Sequence, residues 1–313
     1  MSGSFEKGVV DLAPGLLAYL QPSGTWGRSN AGLISDGGES LLIDTLFDVE
    51  LTSEMLDAMR PTTAEAPIGT VLLTHGDGDH WWGTELLPDA RIYATSEAIE
   101  EMRALPPAAV VAMISGDLPP DLREFVDRAF GPYRFEGISP RVADEAVDGP
   151  RTFPVGGLAA EFVPVGPAHT AGDAIVHVRE HGVVYAGDVL FVDNTPITWS
   201  GPPTAWIAAA DRLLELDAGT YVPGHGPVTD ADGVRWVREY WEFVLEASRE
   251  RLGRGMTAQE AAFDVDLGPY GSVQDADRIV VNVDRAYAEL DPSHAPRDRI
   301  ELLGVMNAYR QPA

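Results

Sequence analysis

Thr74-His75-Gly76-Asp77-Gly78-Asp79-His80 follows directly on the apolar stretch Val71-Leu72-Leu73. Two imidazoles and two carboxylates thus fall within six residues at the end of a β-type segment. Burying such groups unpaired costs several kcal/mol each, so they are either solvated or bound to something. Imidazole nitrogen and carboxylate oxygen are ordinary ligands for zinc, manganese or iron. The plainer alternative is a polar loop in which Asp and Gly make turns, and the rest of the chain speaks against it.

The chain has 313 residues, 45% of them hydrophobic and 23% charged, values of a soluble globular protein with room for a sizeable core. There is no cysteine, which excludes disulfides, thiolate metal sites and a Cys nucleophile together. Any metal must be held by nitrogen and oxygen. The longest apolar run, Ala108 to Ile114, is too short to span a membrane. Met1-Ser2-Gly3-Ser4-Phe5-Glu6-Lys7 lacks the basic-then-apolar order of a signal peptide, so the expected location is cytoplasmic. A formal net charge of -27 argues against nucleic acid and anionic membranes as partners. It also disfavours a highly anionic substrate unless a local Arg cluster overrides the global field. The expected partner is a small-molecule substrate.

Around the loop the sequence alternates strands and helices. Val9–Leu12, Leu16–Leu20, Ala31–Ser35 and Leu41–Asp44 read as strands, punctuated by Pro14-Gly15, Gly24-Thr25-Trp26-Gly27 and Asp36-Gly37-Gly38. Asp48 is placed to cap a helix whose Leu51, Met55 and Met59 share a face before Pro61. Thr70–Thr74 and Arg91–Ala94 are further strands. Residues 96–151 are rich in Pro, Ala and charge, with breaks at Pro106-Pro107 and Pro119-Pro120 and short helices around Glu97–Met102 and Asp121–Phe130. They read as a helical cap inserted into a single domain of residues 1–313. Strands resume at Ala159–Val163, Ala174–Val178 and Val183–Ala186. Residues 231–313 form a helical extension, preceded by a helix that Thr204 caps. It has a helix from about Gly233 to Gly253, a capping box at Thr257-Ala258-Gln259-Glu260 and a helix carrying Ile279, Val283, Ala286 and Leu290. Trp236, Tyr240 and Trp241 belong to this part; whether they form core or the face of a homodimer is left open.

Four other segments repeat the design of the loop, an apolar strand leading to a ligand-type residue. Leu42-Ile43 ends at Asp44; Val163-Pro164-Val165 leads to His169; Val183-Val184-Tyr185-Ala186-Gly187 ends at Asp188; Tyr221-Val222-Pro223-Gly224 ends at His225. Strand ends fix such groups while leaving them accessible. Seven histidines are present and four lie in these motifs; His177, His181 and His294 have no partner at ligand spacing.

In order and character, these motifs from about Leu16 to Pro227 resemble the metallo-β-lactamase fold superfamily. The resemblance implies an α/β, four-layer αββα sandwich with a metal site along one edge. It implies that His75 and His169 bind a first metal, that Asp79, His80 and His225 bind a second, that Asp188 bridges them, and that Asp44 orients the loop and its imidazoles. The family's second loop His is Asp77 here. A carboxylate in that place shifts preference toward manganese or iron, or weakens zinc selectivity. Asp77 is then a ligand of the first metal, a partner of a water on that metal, or the reason the first site stays empty. The cofactor expected is one or two divalent ions, zinc foremost, with manganese or iron as alternatives.

A divalent ion lowers the pKa of bound water from about 15.7 toward roughly 7 and polarises a carbonyl. With Asp79 holding the nucleophilic water and shuttling a proton, and Asp188 as bridge, these two are the expected catalytic residues of a metallo-hydrolase. Trp81 and Trp199 are expected to line the substrate pocket, with Asn194 as a donor, which suits a small apolar or aromatic ester, lactone or thioester. The position three residues after Asp188 is Phe191, not the Tyr of lactonases of this fold. The Asp77–Gly83 segment is similar to a subgroup with hydrolytic dehalogenases of activated aromatic rings, which gives one alternative. An iron-dependent oxidoreductase or dioxygenase on the same fold is another.

Overall fold

The computed structural model describes residues 5–22 and 25–310, and of Asp121 only the backbone. Met1–Ser4 of the leader reading and Gly24 of the turn reading lie outside the described residues. The chain opens with an antiparallel meander of β1 (Gly8–Ala13), β2 (Leu16–Leu20), β3 (Ala31–Asp36) and β4 (Glu39–Ile43). Helix α1 (Val49–Thr63) crosses over to β5 (Ile68–Leu72), which lies parallel to β4, and the four-residue α2 (Gly78–Trp81) follows the His/Asp loop. β6 (Arg91–Ala94) is followed by α3 (Ser96–Ala104), α4 (Pro107–Ser115) and α5 (Pro120–Phe130) before β7 (Glu145–Ala146) closes a seven-stranded sheet in sequence order. A second sheet has the order β12-β11-β10-β9-β8, formed by β8 (Arg151–Val155), β9 (Leu158–Pro164), β10 (Ala174–Val178), β11 (Val183–Phe191) and β12 (Thr220–His225). Helix α6 (Pro203–Glu215) joins the last two strands, and α7 (Ala231–Gly253), α8 (Ala258–Asp264), α9 (Ile279–Leu290) and α10 (Arg299–Arg310) complete the chain.

The inner strands are buried on both faces, and their alternation divides one strand between two cores. Leu16, Ala18 and Leu20 of β2 point into the space between the sheets, against residues such as Phe162, Val176 and Val183. Leu17 and Tyr19 point outward, into the layer with Met55 and Met59 of α1. The far face of the second sheet packs Val184 and Leu190 with Trp206 of α6, Trp241 of α7 and Val283 of α9. The result is the αββα sandwich. Tyr240 and Trp241 are fully buried and belong to the core.

Several boundaries differ from the sequence reading. Pro61 lies inside the last turn of α1, where its missing amide costs a single bond near the helix end. β5 runs two residues earlier than expected, which leaves Leu73 and Thr74 as connection. Pro106-Pro107, Pro119-Pro120 and Pro202-Pro203 each start a helix, with the second Pro in the first turn, where no amide is needed. The first of these gives α4, a helix the sequence reading missed, and the last places the N-cap at Pro202 and not Thr204. The short strands β7 and β8 and the helix α10 were also unforeseen.

Candidate metal centre

All five ligand-bearing segments arrive at one edge of the sandwich. Asp44 follows β4 in a left-handed conformation, φ 60°, a costly backbone for a non-glycine residue. Its side chain explains the strain. Oδ1 accepts from the Thr74 amide at 2.7 Å, and Oδ2 accepts from the Thr74 hydroxyl at 2.7 Å and faces His80 Nδ1 at 2.9 Å. The Thr74 hydroxyl, having given its proton to Asp44, accepts from His75 Nδ1 at 3.0 Å. One carboxylate therefore sets the tautomers of both loop histidines and turns their Nε2 atoms inward.

His169 is held by a hydrogen bond and His225, whose Nδ1 has no hydrogen-bond partner, by packing. His169 Nδ1 donates to the Ile197 carbonyl at 2.6 Å, which leaves its Nε2 facing Asp77 Oδ2 at 3.1 Å and Asp188 Oδ2 at 3.5 Å. The parallel register of β11 and β12 sets Phe191 beside His225, and the two rings stack at 5.1 Å. Asn30 ties the end of β12 to the first sheet by donating from Nδ2 to the carbonyls of Pro223 and Gly226 at 2.9 and 2.8 Å. Gly224 is required where it stands, since a Cβ there would lie 1.8 Å from Asp188 Oδ1.

Asp188 occupies the middle. Its Oδ1 is 3.1 Å from His80 Nε2, and its Oδ2 is 3.3 Å from His225 Nε2 and 4.0 Å from His75 Nε2. Asp79 Oδ2 is 3.3 Å from His225 Nε2 and 3.9 Å from His80 Nε2. The donor atoms fall into three sets, each within 4.8 Å: His75, Asp77 and His169; Asp79, His80 and His225; and His75, His80 and Asp188.

Electrostatics bear the strain of this crowding. Burial, with His80 beside it, pushes the His75 imidazole down to about 4. Burial also opposes charge on His169, but Asp188 and Asp77 outweigh it and raise the group to about 9. His80 is raised well above its usual value, against its burial, by Asp188, Asp79 and Asp44. Asp188 is held well below the carboxylate range, burial notwithstanding, by His225, His80 and His169.

Three buried atoms at the heart of the cluster, His75 Nε2, His80 Nε2 and Asp188 Oδ1, make no hydrogen bond. Buried polar groups rarely go unsatisfied, and inward-facing N/O donors with outward hydrogen bonds are the arrangement that divalent ions require. The residues present fit such an ion.

A cavity of about 260 Å³ opens above the cluster. Asp77, Asp79, His169, Asp188 and His225 reach it, and Trp26, Phe47, Trp82, Phe130, Phe191 and Trp199 supply aromatic walls. Trp199 lines this cavity. Trp81 does not: its indole donates to the Gly76 carbonyl at 2.9 Å and packs in the core, while Trp82, equally buried and stacked on Phe47 at 5.1 Å, contributes to the cavity wall. The short helical turn at Gly78–Trp81 swaps the two indoles. Asn194 is also displaced; its Nδ2 donates to the Val192 carbonyl at 3.0 Å and it does not line the cavity. Two arginines that do line it, Arg278 and Arg299, were missed. They come from the C-terminal part, where no spacing marks them. His177 lies apart, 3.6 Å from Glu161, and His294 pairs with Asp284 at 3.0 Å.

Residues 24–225 match the family model of the metallo-beta-lactamase superfamily. The chain is 25% identical over 241 residues, 70% of its length, to the 2,4-dinitroanisole O-demethylase subunit alpha of Nocardioides sp. (strain JS1661). It is 23% identical over 224 residues, 71% of its length, to the beta-lactamase-like protein 2 homolog of Caenorhabditis elegans. In both comparisons the match spans 63% of the relative's length. Among solved structures, a metallo-beta-lactamase family protein from Thermus thermophilus superposes with a TM-score of 0.64 at 20% identity, covering 90% of this chain and 95% of that one. The stereoselective inverting sec-alkylsulfatase from Pseudomonas sp. gives 0.65 at 18% identity, covering 95% of this chain and 52% of that one. With the family model covering well over half of its residues, the chain belongs to the metallo-beta-lactamase superfamily.

Proposed function

We propose that this protein is a metal-dependent hydrolase of a small, largely apolar or aromatic ester, lactone or thioester. The observation that carries the reading is the convergence of four imidazoles and three carboxylates, five of which (Asp77, Asp79, His169, Asp188 and His225) reach an aromatic cavity. His75, Asp77 and His169 would hold one divalent ion and Asp79, His80 and His225 a second, with Asp188 between them. A divalent ion there supplies Lewis acidity and brings water to ionise near neutral pH.

The chain's own groups do the rest. Asp44 holds the His80 ring through Nδ1 and fixes its lone pair inward. Asp79, part-exposed to the cavity at 14%, is the carboxylate placed to accept a proton from an attacking water and return it to a leaving group. Phe191, packed face to face on His225, closes one side and excludes water. Trp82, Phe47 and Trp199 offer faces on which a flat apolar substrate can lie.

The aromatic walls also favour a second reading, hydrolytic displacement on an activated aromatic ring, and a relative bears the name of a 2,4-dinitroanisole O-demethylase. The test is one panel of aryl esters, lactones, thioesters and nitro- or halo-substituted aryl ethers. It is run on protein stripped by chelator and reloaded separately with zinc, manganese and iron. Turnover of the acyl substrates that vanishes on stripping and returns with the metal is the expected result. Turnover of the ring substrates alone would favour the second reading, and oxygen consumption with iron would replace both by an oxidoreductase.

A further inference from the structure

The resemblance implies an imidazole where this chain has Asp77, and a carboxylate in that place has an electrical consequence. Exchanging a neutral imidazole for a carboxylate adds a negative charge beside Asp188 and Asp79, in a place where an uncompensated charge is expensive. The two oxygens of Asp77 divide their partners. Oδ2 faces His169 at 3.1 Å, and Oδ1 faces the Arg299 guanidinium at 3.5 Å. We propose that Arg299 is the charge partner that lets a carboxylate stand at position 77, so that α10 completes the His75/His169 half of the centre. The proposal rests on the reading that this cluster binds divalent ions.

Three observations carry it. First, the Asp77 and Arg299 charges sum to zero, the charge of the imidazole they replace. Second, Arg299 is held in place, since its guanidinium lies over the Trp199 ring at 4.7 Å, and the Trp199 amide donates to the His169 carbonyl at 2.7 Å. The platform under the arginine is therefore tied to a ligand of the same half. A planar guanidinium can stack and pair at once, which an ammonium does less well. Third, α10 is a packed element, anchored by buried Leu302, Leu303 and Met306. Glu101 is a further carboxylate near the Asp77–Arg299 pair; its Oε1 accepts from the Ala171 amide at 3.0 Å.

The test is a double-mutant cycle on the full-length protein, with Asp77→Asn, Arg299→Ala and the double variant, and with Arg299→Lys as control. In metal-free protein Arg299→Ala is expected to lower Tm by about 2 °C when Asp77 is present and by clearly less in the Asp77→Asn background, where only the stacking on Trp199 is lost. Zinc, measured by competition with a chromophoric chelator, is expected to bind Arg299→Ala about tenfold more tightly, because a positive charge beside the dication is gone. Arg299→Lys should restore wild-type behaviour in both assays. Equal losses of Tm in the two backgrounds would make Arg299 a structural residue and overturn the pairing. A zinc affinity untouched by Arg299→Ala would overturn its role in the centre. Wild-type protein that binds no zinc, manganese or iron would sink the metal reading itself, while the metal-free cycle would still decide whether the pair exists.

Discussion

The two halves of the cluster are built by different means. Asp79, His80 and His225 come from strand ends of the sandwich, and the contacts that hold the two rings close within it, through Asp44 to His80 and through the stacked Phe191 ring to His225. His75, Asp77 and His169 use the same strand ends, but Asp77 turns its second oxygen outward to Arg299 on the last helix. One half is thus completed by the αββα core alone. The other has a charge partner more than two hundred positions away, in a part that the family model does not cover. Variation in this fold can act on one half without rebuilding the other.

The comparison can be broken most severely at Asp188, which both halves share. Asp188→Ala should lower metal content in both and cut kcat/KM about a thousandfold, since loss of an ion removes several kcal/mol of charge stabilisation. Elemental analysis beside kinetics checks it, and retention of two equivalents would show that Asp188 bridges nothing. Asp44→Ala touches no donor set directly but frees the His80 ring. A drop of about 10- to 100-fold in metal affinity, typical of residues that orient a ligand, is expected by chelator competition. Next in size is Trp199→Ala, which removes both a cavity wall and the platform of Arg299. KM should rise about tenfold, with kcat moved less, because the wall contacts substrate and transition state alike.

The smallest effect separates two imidazoles of one half by pH. In metal-free protein His169 is raised to about 9, so the stability it contributes is complete below its ordinary 6.5 and is lost as pH rises through about 9. His75 is lowered to about 4, so it costs stability as pH falls from 6.5 toward 4. Denaturant melts of chelator-stripped protein should therefore peak near pH 6.5 and decline on both sides. His169→Gln should make the alkaline limb shallower, with His80 and His225, also raised, keeping part of it, and a wild-type stability that climbs steadily to pH 9 would refute the assignment.

Much of this was legible in the chain because its signals are local. Val71-Leu72-Leu73 followed by four polar groups marks a strand end, and the repeats at Asp44, His169, Asp188 and His225 mark the others. The capping box at Thr257 is made as its sequence suggests, by bonds in both directions with Glu260. What failed depended on position within an element or on distance along the chain. A Pro-Pro pair reads as a break, yet three times the second Pro begins a helix. Trp81 and Trp82 are adjacent, and only the pitch of a short helical turn decides which one faces the cavity. Arg278 and Arg299 gain their place from the packing of α9 and α10 over the sandwich edge, which no spacing in the sequence records.

The central claim is that this cluster exists to hold metal, and elemental analysis of protein purified without added metal tests it most directly. One or two equivalents of zinc, manganese or iron per chain, lost in Asp188→Ala, is the result expected. A correctly folded wild-type protein that carries no metal and takes up none on titration would contradict the account.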